Sequence, residues 1–147
     1  MGTKRCTVGL AMLAMTLCVT AQGFAQVQFN GGATIDFTGF AGGGFAPSPS
    51  AGQLDSDDWA VTGLSDGPGA FGGTFTTGDF ARGSSSGGVS TGGVYAFDIN
   101  GNVAMGVQPA GSDFTPGTFT LQVQNATGAT LTTMDVAYVA YYLNDQT

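Results

Sequence analysis

Short apolar runs that alternate with polar residues, each closed by Gly, Asn or Asp, set the limits on this fold. A side chain on every second position faces the same way only in a β-strand. The clearest case is Gly117 to Asn125. Phe119, Leu121 and Val123 share one face there, and Thr118, Thr120, Gln122 and Gln124 share the other. That is the pattern of a half-buried antiparallel strand. No segment sustains a 3.6-residue period with helix caps, so the chain is expected to be all-β.

Other expected strands are Ala33 to Phe40, Trp59 to Gly63, Thr74 to Phe80, Gly93 to Asp98 and Val103 to Val107. Asn100-Gly101 between the last two signals a hairpin turn. Asn125 to Gly128 reads as a turn, and Thr130 to Leu143 as the longest strand. Both faces of that strand are apolar, with Met134, Val136, Tyr138, Ala140 and Tyr142 on one and Ala137, Val139, Tyr141 and Leu143 on the other. Ala41 to Ser50 and Arg82 to Gly88 read as surface loops. About seven short strands with frequent turns predict an antiparallel β-sandwich, of jelly-roll or immunoglobulin-like kind.

Glycine at this density could signal disorder. Ten Phe, four Tyr and one Trp after residue 25 oppose that reading, because such side chains require a core. At 147 residues the chain suits one domain of modest core. The start has its own logic. Lys4 and Arg5 precede an apolar run, Cys6 to Val19, and small residues follow. That is the layout of a secretory signal peptide, and the run is short for a membrane span of about 20 residues. Residues 1–25 are therefore expected to be a leader and 26–147 a single glycine-rich β-domain. Cleavage after Ala25 is preferred, with Ala21 as the alternative. The bulky Leu17 opposes lipid attachment at Cys18.

Removing the leader removes both cysteines and two of the three cations. What remains has ten Asp and one Arg, a formal charge of −9, with no His, Lys, Glu or Cys. Without His, neither Ser-His-Asp nor Cys-His nucleophile systems can be assembled. A zinc or haem site lacks its usual ligands. The negative charge repels nucleic acid and anionic lipid, so no nucleic-acid partner is expected, nor a membrane span after the leader. Gly42-Gly43-Gly44 lacks the Lys-Ser/Thr of a phosphate loop. Gly83 to Gly87 lacks the strand and base of a nucleophile elbow. The chain is expected not to be an enzyme.

Two candidate sites survive. Asp55, Asp57 and Asp58 place three hard oxygen ligands in one turn, a calcium candidate. Asp98-x-Asn100-Gly101-Asn102 resembles the start of a calcium loop but lacks the distal Glu. Against both stands the ordinary use of Asp and Asn to bond their own turns. Trp59 and Tyr95, with Tyr138, Tyr141 and Tyr142, are sugar-stacking candidates; the alternative is that they fill the core. Arg82 is expected to pair structurally with Asp79 or another Asp.

Several blocks carry a likeness: Ile35-Asp-Phe-Thr-Gly-Phe40, Pro47 to Trp59, Ala60 to Gly67, Thr77 to Gly83, Gly92 to Phe97 and Gly106 to Gly117. In order and spacing they resemble the N-terminal β-sandwich module of secreted bacterial multi-modular surface proteins, the kind that precedes lamin-tail, nuclease or sorting and anchoring regions. The likeness implies a non-catalytic structural or adhesive module that is secreted or on the cell surface. Its partners would be other modules of a longer protein or extracellular polysaccharide. A carbohydrate-binding module, with calcium as a structural ion, is the alternative. The resemblance implies no catalytic residues. It also implies further strands after Asn144-Asp145-Gln146, so the sandwich is expected to be incomplete at its C-terminus, with Met134 to Leu143 lacking cover.

Overall fold

The computed structural model describes residues 26–143. The expected leader, 1–25, and the Asn144 to Gln146 segment lie outside the described residues. The described chain is essentially all-β, in small sheets that do not close. Its strands are β1 (Val27–Phe29), β2 (Phe40–Ala46), β3 (Gly52–Asp55), β4 (Trp59–Thr62), β5 (Ser84–Ser85), β6 (Gly93–Ile99), β7 (Asn102–Gln108), β8 (Thr118–Leu121) and β9 (Val123–Asn125). A single 3₁₀ turn, Gly78–Phe80, interrupts them. The pairings are β1 with β9, β2 with β3, β4 with β8, and β5-β6-β7.

An all-antiparallel arrangement was expected, and the pairing is mixed. β4–β8 and β6–β7 are antiparallel, whereas β1–β9, β2–β3 and β5–β6 are parallel. Alternation fixes which side chains share a face and carries no information on strand direction. Where a two-residue turn forces the direction, the expectation holds. Asn100 (φ 57°) and Gly101 (φ 84°) make the left-handed turn that joins β6 to β7. Asp98 Oδ1 accepts the Gly101 N–H at 2.6 Å and pins the corner.

β6 is the strand apolar on both faces that is also covered. Val94 and Ala96 enter the main core, while Tyr95 and Phe97 stack on the other side with ring centroids 5.4 Å apart. Phe97 lies over Gly106 on β7, where a Cβ would strike its ring. The main core gathers Phe40, Phe45, Val61, Leu64, Phe80, Val94 and Ala96. Phe80 meets Phe45 edge-on and Phe75 at 4.9 Å. Each such ring removed from water contributes about 1.5–3 kcal/mol.

Arg82 to Gly88, expected as a surface loop, holds β5, and the single strand expected over Gly117 to Asn125 is broken at Gln122 into β8 and β9 of different sheets. Three larger expectations are corrected. Ala41 to Ser50 was read as a surface loop, yet residues 41–46 belong to β2, which runs through the core. Its three glycines permit close approach of backbones rather than flexibility. Gly44 (φ 85°) sits where Phe45 and Phe75 exchange N–H···O bonds at 2.8 Å, and a Cβ there would land on the Phe75 carbonyl oxygen. Between Phe40↔Gly52 and Phe45↔Leu54 the register shifts, which bends β2 and lets so short a connection return to a parallel partner. Second, of the strand expected over Ala33 to Phe40 residues 33–39 hold none and Phe40 opens β2, and of that expected over Thr74 to Phe80 only the Phe45↔Phe75 bridge remains, with Gly78–Phe80 forming the 3₁₀ turn. Third, Thr130 to Leu143 forms no ladder among the described residues. Met134, Val136, Tyr138, Val139, Tyr141 and Tyr142 stand exposed, while Leu143 is partly buried.

Candidate functional site

The most developed polar site joins loops that are far apart in sequence. The turn after β4 brings Ser65 and Asp66. The 3₁₀ turn brings Asp79, with Arg82 just beyond it. The loop after β7 brings Asp113. Asp79 is 3% exposed. Its Oδ2 accepts the Ser65 hydroxyl at 2.7 Å and the Asp66 N–H at 2.9 Å. Its Oδ1 takes the Arg82 guanidinium at 2.5 Å. In return Asp66 Oδ2 accepts the Asp79 N–H at 2.8 Å. Asp113, also buried, accepts the Ser65 N–H at 2.7 Å, and Arg82 Nε donates to the Gly92 carbonyl at 2.8 Å.

Burial alone would push the Asp79 carboxyl up. The Ser65 hydroxyl, the Asp66 N–H, the Arg82 charge and the Asp113 side chain outweigh it and hold the carboxyl below its ordinary value. Asp79 is thus a fixed anion with donors on both oxygens. The expected Arg82–Asp79 pairing is present. Ser65, Asp66 and Asp113 were missed as partners. Asp113 lies 48 positions from Ser65, and no local spacing rule links them.

The calcium candidates occupy the turn between β3 and β4. Asp55 Oδ1 accepts the Asp57 N–H at 2.8 Å, the ordinary turn bond. Asp58 is raised above its usual value by partial burial and by the Asp55 charge, against a hydrogen bond from the Val27 N–H. Asp57 Oδ1 and the Ser56 hydroxyl are buried without a hydrogen-bond partner. Among the described residues no three acidic side chains gather as a metal ion would require. An oxygen such as Asp57 Oδ1 could ligate a cation; Asp55 and Asp58 spend oxygens on backbone donors.

The aromatic candidates divide. Tyr95 is 6% exposed, stacks on Phe97 and donates its hydroxyl to the Thr91 carbonyl at 3.0 Å, so its face is closed to a sugar. Trp59 is half-buried against Phe37, ring centroids 5.8 Å apart. Tyr138, Tyr141 and Tyr142 are exposed. The last two edge a groove of about 630 Å³ shared with Phe97, Phe114, Gln108 and Pro109. Among the described residues no helix is long and apolar enough to cross a membrane. No protein-family model, no curated protein and no solved structure matches this chain.

Proposed function

We propose that the chain is a non-catalytic structural or adhesive module of a secreted or cell-surface bacterial protein, folded as a β-sandwich around Phe45, Val61 and Val94. The observation that carries this reading is the Asp79 network. The Asp79 carboxylate and the Arg82 guanidinium bond one another, the turn at 65–66 and the Gly92 carbonyl, and Asp113 joins the cluster by accepting the Ser65 N–H. Groups engaged in this way tie loops together, and a carboxylate 3% exposed gives a substrate little access. The basic-apolar leader pattern supports export. Expression of the full chain in a bacterial host tests this. Export with a new N-terminus at Gln26, or at Gln22, supports the reading. Cytoplasmic retention with Met1 intact would sink it, as would an activity abolished by Asp79→Asn in chains that remain folded.

A second reading, carbohydrate binding, draws on the groove beside Tyr141 and Tyr142. It predicts retention on an insoluble polysaccharide that Tyr142→Ala abolishes, and no retention by the unaltered chain would remove it. Calcium belongs to this reading as a structural ion through Asp57 Oδ1. Chelation should then lower the melting temperature of the unaltered chain and leave that of Asp57→Asn unchanged.

A further inference from the structure

Two Asn-Gly pairs occur in the chain, Asn30-Gly31 and Asn100-Gly101. Asn followed by Gly is open to a self-reaction, because no Cβ keeps the glycine nitrogen away from the asparagine side chain. Both pairs are exposed, so access to water does not separate them. Their hydrogen bonds do.

At the β6–β7 corner Asp98 Oδ1 accepts the Gly101 N–H at 2.6 Å, and Ile99 pairs with Asn102 directly behind it. The Gly101 nitrogen is thus held by a charge-assisted bond inside a closed left-handed turn. At the end of β1 the last fixed group is the Phe29 carbonyl, which accepts the Ala126 N–H at 2.9 Å. Beyond it, neither the Asn30 side chain nor the Gly31 N–H bonds any described residue. Nothing lies within 4 Å of where a Cβ would stand at Gly31 or at Gly32. A backbone with exposed, unbonded amides and few contacts reorients at little cost.

We propose that Asn30 is a modification site at which the folded chain converts itself to aspartate and isoaspartate, and that Asp98 protects Asn100 from the same reaction. The inference is independent of the functional reading above. The Gly31 amide nitrogen gives its proton to solvent and attacks the Asn30 Cγ. The bond from Cγ to the side-chain nitrogen breaks, and that nitrogen takes a proton from water and leaves as ammonia. A five-membered succinimide remains. Water then adds to one of its two carbonyl carbons and breaks that carbon's bond to the Gly31 nitrogen. Opening at Cγ leaves aspartate; opening at the backbone carbonyl leaves isoaspartate, with the main chain running through Cγ. Nothing is oxidised or reduced, and water is the only co-reactant. The attack requires the nitrogen to come within about 3–3.5 Å of Cγ. Gly31 can turn there unhindered, whereas Gly101 must first give up its bond to Asp98. The product adds a negative charge just beyond β1, and isoaspartate lengthens the connection to β2 by one backbone carbon. The β1–β9 pairing, which ends at Phe29, is left in place.

The test ages the full chain, folded, in mildly alkaline buffer and then cuts it with trypsin. Arg82 is the one cation beyond Arg5, so Asn30 and Asn100 fall on different fragments, and Asn30 is the only Asn before Arg82. Each conversion adds one mass unit, and electron-transfer fragmentation separates isoaspartate from aspartate. In the folded chain Asn30 should convert at least about tenfold faster than Asn100, the factor imposed by a charge-assisted bond that must first break. In concentrated urea, where that bond is gone, the two rates should converge. Asp98→Ala should speed Asn100 in the folded chain and leave Asn30 unchanged, with Trp59 emission reporting that the fold is kept. Equal rates in the folded chain would overturn the proposal, and so would an Asn30 that converts only in urea. An Asn100 rate that Asp98→Ala does not raise would overturn the protective role of Asp98.

Discussion

Replacing Asp79 with Ala leaves three donors facing a hole: the Ser65 hydroxyl, the Asp66 N–H and the Arg82 guanidinium. Each buried donor left unpaired costs about 1–3 kcal/mol. Breaking a fully buried ion pair costs about 3–5 kcal/mol. The Arg82 side chain is 29% exposed and can turn to water, which places the expected loss near the low end. Asp79→Ala should therefore cost about 3–4 kcal/mol, a large share of the roughly 5–15 kcal/mol of a domain. Trp59, the only Trp, rests half-buried on Phe37 and reports unfolding by its emission. In urea the midpoint should fall by about 2 M at unchanged slope. pH adds an independent reading. The Asp79 carboxyl titrates lower in the folded chain than its ordinary value of 3.8. Its stabilisation is thus full above the unfolded value, and is lost as pH drops below about 4 through the lower folded value. Asp79→Asn keeps the shape, gives up the charge, and should flatten the loss of stability below that pH. A loss under about 1 kcal/mol for Asp79→Ala, together with an unaltered acid slope in Asp79→Asn, would refute the network as a clamp.

Three further substitutions probe the rest of the fold. Gly44→Ala forces a Cβ onto the Phe75 carbonyl at a φ of 85° and should cost more than about 2 kcal/mol; Gly31→Ala, equally left-handed but in open space, should cost about 1 kcal/mol, and equal urea midpoints would refute the close approach. Ser56→Ala removes a wholly buried hydroxyl that has no partner and should raise the melting temperature by a few degrees, about 1 kcal/mol; a fall in calorimetry would show that the hydroxyl is bonded. Tyr95→Phe loses the bond to the Thr91 carbonyl and should cost about 1 kcal/mol in the same urea assay, leaving the ring stack on Phe97 in place.

What the sequence discloses follows from the range of the physics involved. The β6–β7 hairpin was legible because Asn100-Gly101 fixes the direction and register of its own neighbours. The Thr118 to Leu121 alternation was legible because its Thr side chains stay outside while Phe119 and Leu121 turn inward. The burial of Gly42 to Gly44 was hidden, since the carbonyls of Phe75 and Gly83 that demand glycine lie 31 and 41 residues further on. The Ser65–Asp113 bond was hidden for the same reason. The Met134 to Leu143 run is a different kind of failure. Its period-2 pattern does record the capacity to pair, since every second side chain would share a face. A ladder also needs a second strand held at pairing distance and in register; β6 has a partner on each side, and the open edges of β7, β1 and β9 make no bridge to this run. Capacity without a partner leaves Tyr138 and Tyr142 in water at a cost of some kcal/mol.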